Sequence, residues 1–184
     1  MGTRAVTYVI EDGMTHIASY TYSDGYPDGY GLLLMNFLTN TKNVKLLRER
    51  MRNVKDVSKE LDALKTNDFN DRWFDNYIES HPEFSYFGGM DFFEDVIGSD
   101  YVTYRMFSGD PRGEDWTYVI DFDSNTFETY RGLSHTPPDK GERFYDGETV
   151  DEDRWYPPKL MCIFSLDDLP SNMEYIEKTE EKYY

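Results

Sequence analysis

The spacing of apolar residues changes twice along this chain, and those two changes narrow the folds open to it. Residues 4–10 (Arg-Ala-Val-Thr-Tyr-Val-Ile) read as a strand. Glu11-Asp12-Gly13 follows, and Asp-Gly is a strong signal for a tight hairpin turn. Residues 14–22 return as a second strand, with Ile17, Ser19 and Thr21 on one face and His16, Ala18, Tyr20 and Tyr22 on the other. Leu32, Leu33, Met35, Asn36, Phe37 and Leu38 then suit a buried helix. Over 42–65 the spacing is helical: Val44, Leu47, Met51, Val54, Val57, Leu61 and Leu64 fall three or four residues apart, an apolar stripe along one face. A break near Asn53 divides this stretch into two helices. Asn70-Asp71 opens a shorter helix through Trp73, Phe74, Tyr77 and Ile78, stopped by Pro82, and residues 91–96 give one more turn or two before Gly98.

From residue 101 the period becomes two. Residues 101–107 and 116–122 read as strands, and Asp123-Ser124-Asn125 turns the chain into 126–131 as a compact hairpin. A polar loop with Pro137-Pro138 and Pro157-Pro158 spans about 132–157, longer than a passive connector needs. Residues 160–164 form a last strand, and the tail from Ser171 a frayed helix. Strands segregated from helices place the chain in the α+β class. The expectation is one domain over 1–184: a mainly antiparallel sheet, with several helices inserted over about 30–98 between an N-terminal hairpin and C-terminal strands.

The chain carries a net charge of −17, and the excess is lopsided. Residues 1–66 hold nine basic and eight acidic side chains, residues 67–184 ten basic and 28 acidic. A field of that sign repels nucleic acid and anionic membranes and attracts basic protein surfaces. No apolar run is long enough to span a bilayer, and the N-terminus lacks the basic-then-apolar layout of a signal peptide. The one cysteine, Cys162, lies within Leu160-Met161-Cys162-Ile163-Phe164 and reads as a buried thiol in a reducing compartment.

Two segments stand out as candidate sites. Asp24-Gly25-Tyr26-Pro27-Asp28-Gly29-Tyr30-Gly31 is a glycine-rich turn between strand and helix, where free backbone N–H groups suit a phosphate and Arg4 adds a fork of donors. The ligand-binding candidates there are Arg4, Asp24, Gly25, Tyr26, Asp28 and Gly29. Against them, the spacing is neither a P-loop nor a dinucleotide fingerprint, Asp24 and Asp28 repel an anion, and the residues equally suit a plain turn. The second segment, 139–156, alternates Asp146, Glu148, Asp151, Glu152 and Asp153 with Phe144, Tyr145, Trp155 and Tyr156. Aromatic anchors supply buried area and carboxylates supply steering for a basic partner. The alternative is a loop folded back on the sheet with Trp155 in the core. The loop 108–115 is a binding tip or a solvated turn. The basic face of 42–59 is solvated, contacts phosphates or pairs with acids of the same fold. His16, His81 and His135 are far apart and form no metal or nucleophile motif, so no catalytic residue, metal or cofactor is expected.

Gly2-Thr3-Arg4, the Asp12-Gly13 hairpin and Tyr22-Ser23-Asp24-Gly25-Tyr26-Pro27-x-Gly29 together resemble a group of tailed-phage and prophage accessory proteins with a GTR start and a DGYP turn before a helix. The later hairpin, Tyr118-Val119-Ile120-Asp121-Phe122…Glu128-Thr129-Tyr130, is similar to their last strands. The resemblance implies a virus-encoded accessory protein of the host cytoplasm and carries over no catalytic residue. The leading expectation is a non-enzymatic acidic protein that binds and inhibits a basic host defence or nucleic-acid-handling protein, without touching nucleic acid or membrane. The alternative is a nucleotide or small-ligand binding protein, either a scavenger of signalling nucleotides or an enzyme acting on them, in which bases stack on tyrosines. A self-associating virion or scaffold component is a third option.

Overall fold

A computed structural model describes residues 2–64, 72–85, 88–148 and 154–180. The hairpin forms as expected. Strands β1 (Ala5–Glu11) and β2 (Met14–Thr21) pair antiparallel around Asp12 and Gly13. Both turn residues adopt positive φ, 54° and 68°, the geometry that matches the twist of the flanking strands. The chain then runs through one π turn (Pro27–Gly31) into α1 (Leu32–Thr39) and α2 (Thr41–Arg50). Asn40 divides these helices and caps the second, its side chain accepting from the Lys42 N–H at 3.1 Å.

The break near Asn53 is real, but a strand occupies it. A 3-10 turn (Met51–Asn53) leads into β3 (Val54–Asp56) before α3 (Ser58–Leu64). Val54 and Val57 keep the helical spacing, yet they are β-branched and flank the point where the chain extends. After α4 (Arg72–Ser80) comes β4 (Phe84–Ser85), then α5 (Phe92–Gly98) and β5 (Val102–Tyr104). β5 is shorter than the expected 101–107 and does not join the main sheet. It pairs in parallel with β3 and β4, in the order β3-β5-β4.

The main sheet adds β6 (Trp116–Asp121), β7 (Thr126–Arg131) and β8 (Lys159–Ser165), in the order β2-β1-β6-β7-β8. Three of its pairings are antiparallel, and β1 and β6 run parallel. The helical insertion is therefore a long crossover that returns the chain to the middle of the sheet. β6 lies buried along its whole length, as expected of a parallel strand covered on both faces. The outer edge of β2 is covered too: Phe107 N–H donates to the Ala18 carbonyl at 2.8 Å, and Gly89 N–H to that of Tyr20 at 3.2 Å.

One face of the sheet presents Val9, Ile17, Trp116, Tyr118, Ile120 and Phe127 to Leu34, Met35 and Leu38 of α1. The tail is a docked helix rather than a frayed one. In α6 (Asn172–Glu180), Tyr175 is fully buried against Phe127, with its hydroxyl 3.0 Å from that of Thr129. Cys162 is buried in β8. No helix among the described residues is long and apolar enough to cross a membrane.

Candidate functional site

The opposite face of the sheet carries the polar chemistry. At its β2 end, Tyr20, Tyr22, Arg105, Met106, Phe107 and Glu114 surround a cavity of about 220 Å³. Each wall is held by a separate device. Tyr20 lies on β2, and Tyr22 follows one residue after that strand ends. The Met106 N–H donates to Asp56 Oδ1 at 3.1 Å, which ties the segment after β5 to the β3–α3 junction. With the Phe107 N–H on Ala18, this swings residues 105–109 across the edge of β2. The Phe107 ring stacks on Tyr20 at 5.4 Å and 5°, while Tyr22 meets Tyr20 edge-on at 4.7 Å and 85°.

Glu114 reaches the cavity from the loop before β6. That loop is rigidly built: Pro111–Gly113 form a 3-10 turn, and the Asp110 side chain accepts from the Arg112 N–H at 3.0 Å. Behind it, the Gly132 N–H donates to the Asp115 carbonyl and the Leu133 N–H to that of Arg112, at 3.0 and 3.1 Å. A Cβ on Gly132 would fall inside the Glu114 carbonyl oxygen, so only glycine permits this approach. The Glu114 residue is 8 % exposed, and its Oε2 accepts from the Tyr20 hydroxyl at 3.1 Å. Burial pushes its carboxyl above the usual carboxylate range, partly offset by the Tyr20 hydroxyl and Arg4. Burial, then the nearby Glu114 charge, raises the Tyr20 phenol to about 12.

The expected phosphate cradle does not assemble. Arg4 turns away from the glycine-rich turn toward the Glu114 loop. Its Nη2 donates to the Gly113 carbonyl at 2.8 Å, and its Nε lies 3.6 Å from Glu114 and 3.7 Å from Asp115. Four N–H groups of the turn are engaged by backbone: Gly25 on Thr3, Gly29 and Gly31 on Tyr26, Tyr30 on Asp24. Gly25 packs on Ala5 with no room for a side chain, and its carbonyl accepts from the Tyr118 hydroxyl at 2.8 Å. Asp24 takes a positive φ of 55°, Tyr26 is exposed, and Asp28 lies in the first turn of the π segment. These residues build the entry to α1.

The acidic loop is tied to the sheet at particular points over its described part, though most of its residues stay exposed. Arg143, one of its basic residues, lies over β6 and β7, where its guanidinium bonds Asp121 and Glu128, both nearly buried. Burial pushes these two carboxyls up, but hydrogen bonds from Ser124 N–H and Arg143 to Asp121, and from Arg143, Tyr130 and Thr126 to Glu128, hold both below the usual range. Phe144 packs edge-on to Tyr130 at 4.8 Å and tilted to Tyr8 at 6.4 Å. Asp146 and Glu148 clasp Arg112, the residue two before Glu114. Tyr145 stays 43 % exposed; Trp155, 37 % exposed, rests on His135 rather than entering the core. Tyr156 closes the loop, its N–H on the Ser134 carbonyl at 2.9 Å. Asp151, Glu152 and Asp153 lie outside the described residues.

The basic face of 42–59 pairs largely within the fold. Arg48 and Arg52 bond the buried Glu11, Arg52 also reaches Asp12 at 2.8 Å, and Arg50 lies 3.7 Å from Asp100. No group of three or more His, Cys, Asp or Glu side chains suited to a metal ion occurs among the described residues.

The chain matches no family model, no curated protein and no solved structure. The cavity beside Glu114 is what sequence reasoning missed. Its signals were present but separate: Tyr20 on β2 with Tyr22 two residues on, and an acid pair, Glu114-Asp115, at the foot of a loop that reads as a binding tip or a solvated turn.

Proposed function

We propose that this protein binds a small nitrogen-bearing ligand in the cavity between β2, the segment after β5 and the Glu114 loop. The supporting observation is the Glu114 carboxylate, withdrawn from solvent, oriented by the Tyr20 hydroxyl and placed beside three aromatic rings. A buried acceptor with apolar walls is what fixes a small molecule by one or two polar contacts while its body is desolvated. The cavity is smaller than the roughly 300–1,000 Å³ of drug-sized sites, so one ring or head group fills it. Phosphate recognition by the glycine-rich turn does not enter this reading.

The test is thermal denaturation across a panel of amines, guanidines, nucleosides and nucleotides. A ligand at about a hundred times its Kd adds about 2.7 kcal/mol to the folded state. For a chain of this length that raises Tm by roughly 5–11 °C. Glu114→Gln keeps the shape and removes the charge, and is expected to abolish the shift. No shift with any member of the panel overturns the reading.

A second reading keeps the acidic surface. Tyr145 and Trp155 remain exposed on a carboxylate-rich loop, which favours a basic protein partner; in the phage setting that partner is a host defence or nucleic-acid-handling protein of the host cytoplasm, inhibited by charge mimicry. Its affinity falls steeply between low and high salt, and a salt-independent affinity removes it.

A further inference from the structure

The cavity's own geometry narrows the ligand class, given the binding reading above. A planar base gripped on both faces needs two ring contacts of about 3.5–4 Å, roughly 7 Å between the gripping rings. Tyr20 and Phe107 are parallel but only 5.4 Å apart, already stacked on each other. The aromatic wall they form with Tyr22 is instead a corner, because the Tyr22 ring stands at 85° to that of Tyr20. Rings set at right angles, each with an electron-rich face, surround a compact positive group better than a flat neutral one. Met106 adds a polarisable thioether to the same cavity.

Charge points the same way. Glu114 supplies a counter-charge that burial keeps unscreened. One guanidinium is shared between it and its neighbour: Arg4 Nε lies 3.6 Å from Glu114 and 3.7 Å from Asp115, with Nη2 on the Gly113 carbonyl, while Arg105 on the cavity wall bonds Asp62 at 2.7 Å. Glu114 and Asp115 thus face the single guanidinium of Arg4. A chain of net charge −17 also concentrates cations and repels phosphates.

We infer that the ligand of this cavity is a small organic cation, an alkylammonium or guanidinium head group, seated in the Tyr20–Tyr22 corner with its charge against the Glu114 carboxylate.

The experiment titrates the full chain with choline, guanidine and n-butylamine. 3,3-Dimethylbutan-1-ol serves as the uncharged shape-mate of choline, and adenosine as the neutral planar probe. Affinity is read by calorimetry, and site occupancy by the NMR signal of the Met106 methyl group. At least one cation is expected to bind about tenfold or more tighter than the uncharged alcohol and to move the Met106 signal. Glu114→Gln loses that preference. Tyr22→Leu, at a half-exposed position outside the core, lowers cation affinity without unfolding the chain, so the test survives if Glu114→Gln folds poorly. If adenosine or the alcohol binds as tightly as every cation, the cation inference is overturned while the binding reading stands. If no probe moves Met106, both fall.

Discussion

Truncating Arg143 tests how the long loop is held to the sheet. Its guanidinium is the shared partner of Asp121 and Glu128, whose side chains are 7 % and 5 % exposed. Removing one partner of a buried ion pair costs about 3–5 kcal/mol, because the other charge is left desolvated. Two features of the site reduce that figure. The Arg143 side chain is itself 28 % exposed, so solvent screens part of the interaction. The carboxylates also keep other donors: the Asp123 and Ser124 N–H groups for Asp121, and the Thr126 and Tyr130 hydroxyls for Glu128. The expected loss for Arg143→Ala is therefore about 2–3 kcal/mol at neutral pH, a fall in Tm of roughly 4–12 °C. Both carboxyls have folded-state pKa values below their unfolded ones, so their stabilisation is fully present above the unfolded range near 4. It is lost as pH falls through the depressed folded values, where the protonated acids no longer need a cation. Thermal melts of wild type and variant from pH 7 down to pH 3 should converge. Equal Tm at pH 7, or a gap that persists unchanged at low pH, would refute the assignment of Arg143 as the anchor.

Other positions give independent expectations. Gly132→Ala forces a Cβ into the Glu114 carbonyl and should cost about 3 kcal/mol or more by chemical denaturation, with loss of ligand-induced stabilisation as Glu114 shifts. Tyr175→Phe removes only the hydroxyl contact with Thr129 and should cost about 1 kcal/mol, whereas Tyr175→Ala empties the seat of α6 and should cost about 3–5 kcal/mol; equal effects would mean that the ring is not the anchor. Gly31→Ala places a methyl 2.6 Å from the Tyr175 hydroxyl and 3.0 Å from that of Tyr118, and should expose α6 to faster amide exchange than the rest of the core.

The local features of this fold were legible because short-range chemistry sets them. Asp12-Gly13 turns a hairpin because both residues tolerate positive φ, and Pro82 and Gly98 follow or end helices as their backbones require. What escaped was long-range pairing. Nothing in residues 5–11 says that their neighbour across the parallel ladder lies over a hundred residues away at Trp116. β3 escaped because three residues cannot establish a period, and Val54 fits a helical stripe as well as a ladder. The loop was read through its acids and aromatics, yet Arg143 holds it down. A signal for that was available: period two puts Asp121 with Thr117 and Val119 on one strand face and Glu128 beside Tyr130 on the next, and carboxylates in such rows call for a cation from elsewhere. Arg4 and the glycine-rich turn are paired in the sequence reading, but the fold directs the arginine to the loop before β6 and leaves the turn largely to its own backbone.

The clasp of Asp146 and Glu148 on Arg112 makes two surfaces of this molecule mechanically one. Arg112 sits on the same short hoop of chain as Glu114, so neutralising the loop's acids also slackens the arm that presents the buried carboxylate. A macromolecule that drew Asp146 and Glu148 to itself would loosen that arm as well, and whatever small molecule rested there would leave sooner. Charge-removal variants of the loop thus report on both events at once, and only paired measurements of each can tell them apart.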